Sequence, residues 1–81
     1  MTHCKILLVD DDQWLLESMA QWLSEQRYTV LSAASVGAAQ RILSKESADL
    51  CLVDVSLEGP DGFALLAWCR KHRPDMPVVM M

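Results

Sequence analysis

The sequence predicts an α/β fold, a doubly wound parallel sheet with helices on both faces. Three observations point to it. Two apolar runs, Ile6-Leu7-Leu8-Val9 and Leu50-Cys51-Leu52-Val53, are continuous rather than alternating, as in strands covered on both faces. Between strand-like runs the apolar spacing turns helical. The connections are short, which in a strand–helix alternation implies parallel neighbours. Both apolar runs also end in acids, Asp10-Asp11-Asp12 after the first and Asp54 after the second. Ligands of open α/β sheets bind at the carboxyl edge of the strands. Adjacent strands with these endings would gather three or four carboxylates in one cleft.

Each element has its own justification. Cys4 to Val9 is branched and apolar, a strand. Asp12 can cap the helix that follows. From Gln13 to Gln26, Leu16, Met19 and Leu23 recur at helical spacing, with Leu15 and Trp22 widening the stripe, and no Pro or Gly intervenes. Arg27-Tyr28 closes that helix, and Tyr28 to Ala33, with β-branched Thr29 and Val30, reads as a strand. Ser35 is the N-cap of a helix over Val36 to Lys45 whose apolar side is Ala38, Ala39, Ile42 and Leu43. Gly37 weakens it by about 1 kcal/mol relative to Ala. Ala48 to Val53 is the third strand, and Leu57 to Gly62 a loop. Phe63 to His72 is the third helix, with Phe63, Leu66 and Ala67 as its apolar positions. Arg70, Lys71, His72 and Arg73 crowd its C-terminal end, where cations suit the helix dipole, and Pro74 stops it. Pro77 to Met81 forms a fourth strand. The order is β-α-β-α-β-α-β.

Composition narrows the function classes. Eighty-one residues make one small domain, and 52% hydrophobic content predicts a real core. The net charge of −4 and the absence of a basic patch argue against direct nucleic-acid binding and fit a cation site better. The three cysteines, Cys4, Cys51 and Cys69, form no CxxC pair and read as small buried apolar residues. No apolar run reaches the roughly 18 residues of a membrane span, and the acids after Val9 interrupt any signal-peptide pattern. A cytoplasmic location is expected. Trp14, Trp22 and Trp68 read as helix packing, with Trp14, off the stripe, left for a partner. His3 and His72 stand alone, and Asp49 and Asp75 read as surface acids.

Four stretches carry a family resemblance: Ile6-Leu7-Leu8-Val9-Asp10-Asp11-Asp12, Ala48-Asp49-Leu50-Cys51-Leu52-Val53-Asp54, Asp61-Gly62-Phe63-Ala64-Leu65-Leu66, and Arg73-Pro74-Asp75-Met76-Pro77-Val78-Val79. In order and spacing the chain resembles the CheY-like receiver domain of two-component response regulators along its whole length. The acidic pair, the strand-end Asp and the Asp-Gly helix start are together a specific signal. The resemblance implies a flavodoxin-like sheet of order 2-1-3-4. It implies that Asp54 is the phospho-acceptor, served by the phosphohistidine of a sensor histidine kinase or phosphotransfer protein. It implies that Asp10 and Asp11 hold Mg²⁺ together with Asp54 and the backbone carbonyl of Ser56. The domain would be a signalling module and not a conventional enzyme.

The chemistry has reasons of its own. A carboxylate can attack phosphorus and form an acyl phosphate. Attacking oxygen and phosphoryl group are both negative, so a divalent cation must screen them. Mg²⁺ takes hard oxygens from few carboxylates plus waters and phosphate, which Asp10, Asp11 and Asp54 supply. Neighbouring residues at a strand end point different ways, so one of Asp10 and Asp11 would bind directly and the other through water.

The chain also departs from the pattern. Glu58 stands where the family often has Pro, and Pro60 comes two residues later. Residues 1–81 match the N-terminal portion of the pattern. They lack its last two helices, its fifth strand, a Ser/Thr after the fourth strand and a Lys after the fifth. The expectation is a truncated receiver whose exposed fourth strand, Val78 to Met81, pairs with a second copy. Two alternatives remain. One is a receiver-like dimerisation module without phosphorylation. The other is an aspartate-nucleophile phosphatase of the haloacid dehalogenase type, which Ser56, standing where that family has a second Asp, disfavours.

Overall fold

The computed structural model describes residues 4–54 and 61–81, with backbone alone for Asp61 and Gly62. Ser56, Glu58 and Pro60, and with them most of the expected Leu57 to Gly62 loop, lie outside the described residues. The elements alternate as expected: β1 (Lys5–Val9), α1 (Gln13–Glu25), β2 (Thr29–Ala33), α2 (Val36–Lys45), β3 (Leu50–Val53), α3 (Asp61–His72) and β4 (Val78–Met80). The four strands form one parallel sheet of order β2-β1-β3-β4.

Alternation along β1 divides the core in two. Leu7 and Val9 point to one face, where they meet Ala39 and Leu43 of α2, Leu65 and Cys69 of α3, and Cys51 and Val53 of β3. Ile6 and Leu8 point to the other, against Leu16, with Met19 and Leu23 packed beside it. β1 is thus buried on both faces, which its continuous apolar run required.

The helix caps follow the sequence. The Asp12 carboxylate accepts the amides of Trp14 and Leu15, and the Ser35 hydroxyl accepts that of Ala38. α1 ends in a Schellman turn: the Arg27 amide donates to Ser24 O and the Tyr28 amide to Leu23 O. Arg27 adopts φ 72°, the left-handed position that glycine usually fills. Tyr28 is therefore part of this turn and not of β2. The half-buried Arg73 guanidinium donates to Leu43 O and His72 O, tying the ends of α2 and α3 together.

Two faces differ from expectation. On α1, Leu15 and Trp22 do not widen the buried stripe; they are 45% and 60% exposed. The helix meets the sheet along a narrow strip, through Leu16, Met19, Ala20 and Leu23. On α3, the inward residues are Leu65 and Cys69, with Trp68 beside them, while Phe63 is 63% exposed and Ala67 is exposed. α3 also begins at Asp61, two residues before the expected start. Its first half is apolar nearly all round, so spacing alone does not select a face. The strand ends shift by one or two residues, with Ala48, Asp49, Pro77 and Met81 just outside β3 and β4. Among the described residues, no helix is long and apolar enough to cross a membrane.

Candidate functional site

Register builds the site. Val9 pairs with Val53 across β1 and β3, so the residues that follow, Asp10 and Asp54, leave the sheet side by side. The backbone ladder runs one step past the strands. The Asp54 amide donates to Val9 O at 2.9 Å, and the Asp10 amide to Ala33 O at 3.1 Å. The two acids are thereby held on the continuation of buried strands and not on free loops.

Three of the predicted residues come together. One carboxylate oxygen from each of Asp10, Asp11 and Asp54 lies within 4.8 Å of the other two. Their environments are graded. Asp10 is 1% exposed, Asp54 half-buried and Asp11 exposed. The fourth predicted ligand, the Ser56 carbonyl, lies outside the described residues. Asp12 stays out of the cluster and caps α1.

Asp10 is the buried charged residue among the described ones. Its Oδ1 accepts the Asp12 amide at 2.9 Å. Its Oδ2 is buried and has no hydrogen-bond donor. The Asp54 carboxyl lies close enough to share a proton with Asp10. Two ionised carboxylates cannot hydrogen-bond to each other, so that contact is favourable only when one is protonated or a cation lies between them. Burial accordingly pushes the Asp10 carboxyl above its usual pKa of 3.8. The Asp12 amide works against that, and the charges of Asp54 and Asp11 add to it. An orphaned buried carboxylate oxygen beside two further carboxylates suits a small hard cation. These residues fit Mg²⁺.

The sequence did not reveal the role of the Asp12 amide. The signal was present, since a capping residue two positions after a strand-end acid directs its own amide back toward that acid. Other concavities lie elsewhere. A groove of about 380 Å³ runs between Ala48, Asp49 and Arg73–Met76, by the amino ends of β3 and β4. One of about 360 Å³ lies between α1 and β3, lined by Met19, Trp22, Leu23 and Leu52.

Comparison with known proteins agrees with this geometry. The family model described as the response regulator receiver domain matches residues 6–81. The transcriptional regulatory protein GlrR of Escherichia coli is 37% identical over 83 residues, covering 100% of this chain and 19% of that protein. A CheY-like receiver domain protein from Methanospirillum hungatei superposes with a TM-score of 0.91 at 35% identity, over 98% of this chain and 63% of that one. The response regulator TrrA of Thermotoga maritima, solved in complex with Mg²⁺-BeF, gives a TM-score of 0.86 at 25% identity, over 95% and 67%. The chain thus spans about a fifth of the length of GlrR.

Proposed function

The chain belongs to the response regulator receiver domain family, and from that premise we propose that it accepts a phosphoryl group on Asp54 with Mg²⁺ held by Asp10, Asp11 and Asp54. The family is one of signalling domains, with Mg²⁺ typically bound at an acidic pocket. The observation that carries the reading to these residues is the convergence of three carboxylates around a buried oxygen, Asp10 Oδ2, that has no donor.

The step balances simply. An Asp54 oxygen attacks the phosphorus of a phosphohistidine on a histidine kinase or phosphotransfer protein. The P–N bond breaks, and the imidazole leaves and takes a proton. Attack of water on the resulting aspartyl phosphate later releases inorganic phosphate and restores the carboxylate. Mg²⁺, when bound, offsets the negative charge that gathers as carboxylate and phosphoryl oxygens approach. Asp10 is held by the Asp12 amide, so it needs little reorganisation to serve as a ligand. Asp11, exposed, is free to bind through water. Ser56 would add its backbone carbonyl.

Beryllofluoride with Mg²⁺ tests the assignment as a phosphoryl mimic. Saturable binding by the wild-type chain and none by Asp54→Asn is the expected result. Equal binding by both would refute it. The names of relatives such as the transcriptional regulatory protein GlrR support a transcriptional output for the whole protein. A reporter assay with Asp54→Asn in the full-length gene tests that.

A second reading has its own observation. β4 pairs only with β3 among the described residues, and Val79 and Met81 are exposed. An unpaired strand edge is a template for another chain. On this reading the domain dimerises through Val78–Met80. A monomer in sedimentation equilibrium at high concentration would eliminate it.

A further inference from the structure

We propose that Asp12 is a positioning residue for this acidic site: by capping α1 it fixes the backbone amide that holds the Asp10 carboxylate. The proposal rests on the reading of Asp10 as a Mg²⁺ ligand and extends it to a residue outside the cluster.

Every polar group of Asp12 with an identified partner points to this role. Its amide donates to Asp10 Oδ1 at 2.9 Å. Its Oδ1 accepts the amides of Trp14 and Leu15 at 3.1 and 3.2 Å. Its carbonyl accepts the amide of Leu16 at 2.9 Å. Leu16 is buried against Ile6 and Leu8 of β1. A closed circuit results. The core contact of Leu16 sets where α1 sits on β1. The first turn of α1 sets the backbone of Asp12, at φ −84° and ψ 101°. That backbone then aims the Asp12 amide at Asp10, the residue that follows β1. One Asp10 oxygen is thereby occupied, and the other is left without a donor.

Without the cap, the Trp14 and Leu15 amides would turn to water and the first turn of α1 would fray. The Asp12 amide would lose its fixed direction. Asp10 could then rotate, and both of its oxygens would become interchangeable. Partners that orient a metal ligand typically affect metal affinity by about 10- to 100-fold. Because Asp12 acts through its backbone and not by removal of the hydrogen bond itself, the lower end applies.

The side-chain carboxylate of Asp12 offers a competing account, in which its negative charge attracts the cation directly. Substitutions separate the two. Asn and Ser keep the capping acceptor and remove the charge, while Ala removes both. The experiment is calorimetric titration of the full chain with MgCl₂ at fixed ionic strength, for wild type, Asp12→Ala, Asp12→Asn, Asp12→Ser and the control Gln21→Gly. The control weakens α1 at an exposed site away from the cap. The expected result is a Mg²⁺ affinity weakened about tenfold in Asp12→Ala, restored to within about threefold by Asn and Ser, and unchanged in the control. An affinity in Asp12→Ala equal to wild type overturns the proposal. So does equal weakening in Asn, Ser and Ala, which assigns the effect to charge. Equal weakening in Gln21→Gly assigns it to helix stability and overturns it too. A wild-type chain that binds no Mg²⁺ overturns the reading of the site itself, and with it this extension.

Discussion

Replacing buried Asp10, the proposed Mg²⁺ ligand, with asparagine should make the metal-free protein more stable while destroying its response to Mg²⁺. Asp10 Oδ1 is already committed to the Asp12 amide, so the Asn oxygen must take that position. The side-chain NH₂ then falls where Oδ2 now lies buried without a donor, next to the Asp54 carboxyl. An orphaned charge becomes a donor facing a carboxylate. A hydrogen bond to a charged group contributes about 1.5–3 kcal/mol net. For a domain of this size each kcal/mol moves Tm by roughly 4–8 °C. Asp10→Asn should therefore melt at least about 5 °C above wild type in EDTA, measured by circular dichroism. Wild type should recover on adding Mg²⁺, by about 1.4 kcal/mol at ten times Kd, and Asp10→Asn should not.

The pH dependence has a definite sign. Asp10 has a folded pKa raised above 3.8, so the folded state binds this proton more tightly than the unfolded one. The penalty on wild type is full above the raised value and vanishes as pH falls through it toward 3.8. The advantage of Asp10→Asn in EDTA must shrink on acidification across that window. A lower Tm for Asp10→Asn in EDTA, or a Mg²⁺ shift as large as wild type's, would refute the electrostatic account of the site.

Other parts of the fold give measurable consequences. Leu65→Ala should cost about 2–5 kcal/mol in urea denaturation, because Leu65 is fully buried between α3 and the sheet. Phe63→Ala should stay within about 0.5 kcal/mol, and the reverse order would restore the face expected from sequence. Arg27→Gly should stabilise by roughly 0.5–1 kcal/mol, since Arg27 holds a left-handed conformation that disfavours side chains; an equal or lower denaturation midpoint would count against the Schellman turn. Burial pushes the Cys51 thiol up to about 12 and also raises Cys69. Alkylation at pH 8, counted by mass spectrometry, should therefore modify only the half-buried Cys4 in the folded protein and all three cysteines in denaturant.

The acids were legible because strands translate sequence into position almost without choice. A continuous apolar run fixes a strand buried on both faces, its end fixes an edge residue, and pairing of Val9 with Val53 makes Asp10 and Asp54 neighbours. Only the pairing itself had to be supplied, and the βαβ rule together with the family's spacing supplied it. Helix faces carry no such constraint when apolar residues surround the axis. From Phe63 to Trp68 every residue of α3 is apolar, so three different faces satisfied the helical period and packing chose among them. Cys69 held the missing information. A free cysteine is among the residues most often buried, and a face drawn through Cys69 includes Leu65 one turn earlier and leaves out Phe63 and Ala67. On α1 the error ran the other way. Leu15 and Trp22 are apolar but face away from the line of contact, because one helix over a twisted sheet touches along a narrow strip.

Asp12 shows why a residue's role cannot be read from its side chain alone. Its sequence position identified a helix cap, and its side chain is one. The contact that matters for the site comes from its amide, a group every residue except proline possesses. That contact depends on the strand ending at Val9 and the helix starting at Gln13, a three-residue connection, Asp10 to Asp12, that turns the chain directly over the carboxylate. The spacing between strand end and helix start, and not the third acid as such, is what ties the cap to the site. An inserted residue after Asp12 would keep the cap's chemistry in the sequence yet move its amide off Asp10.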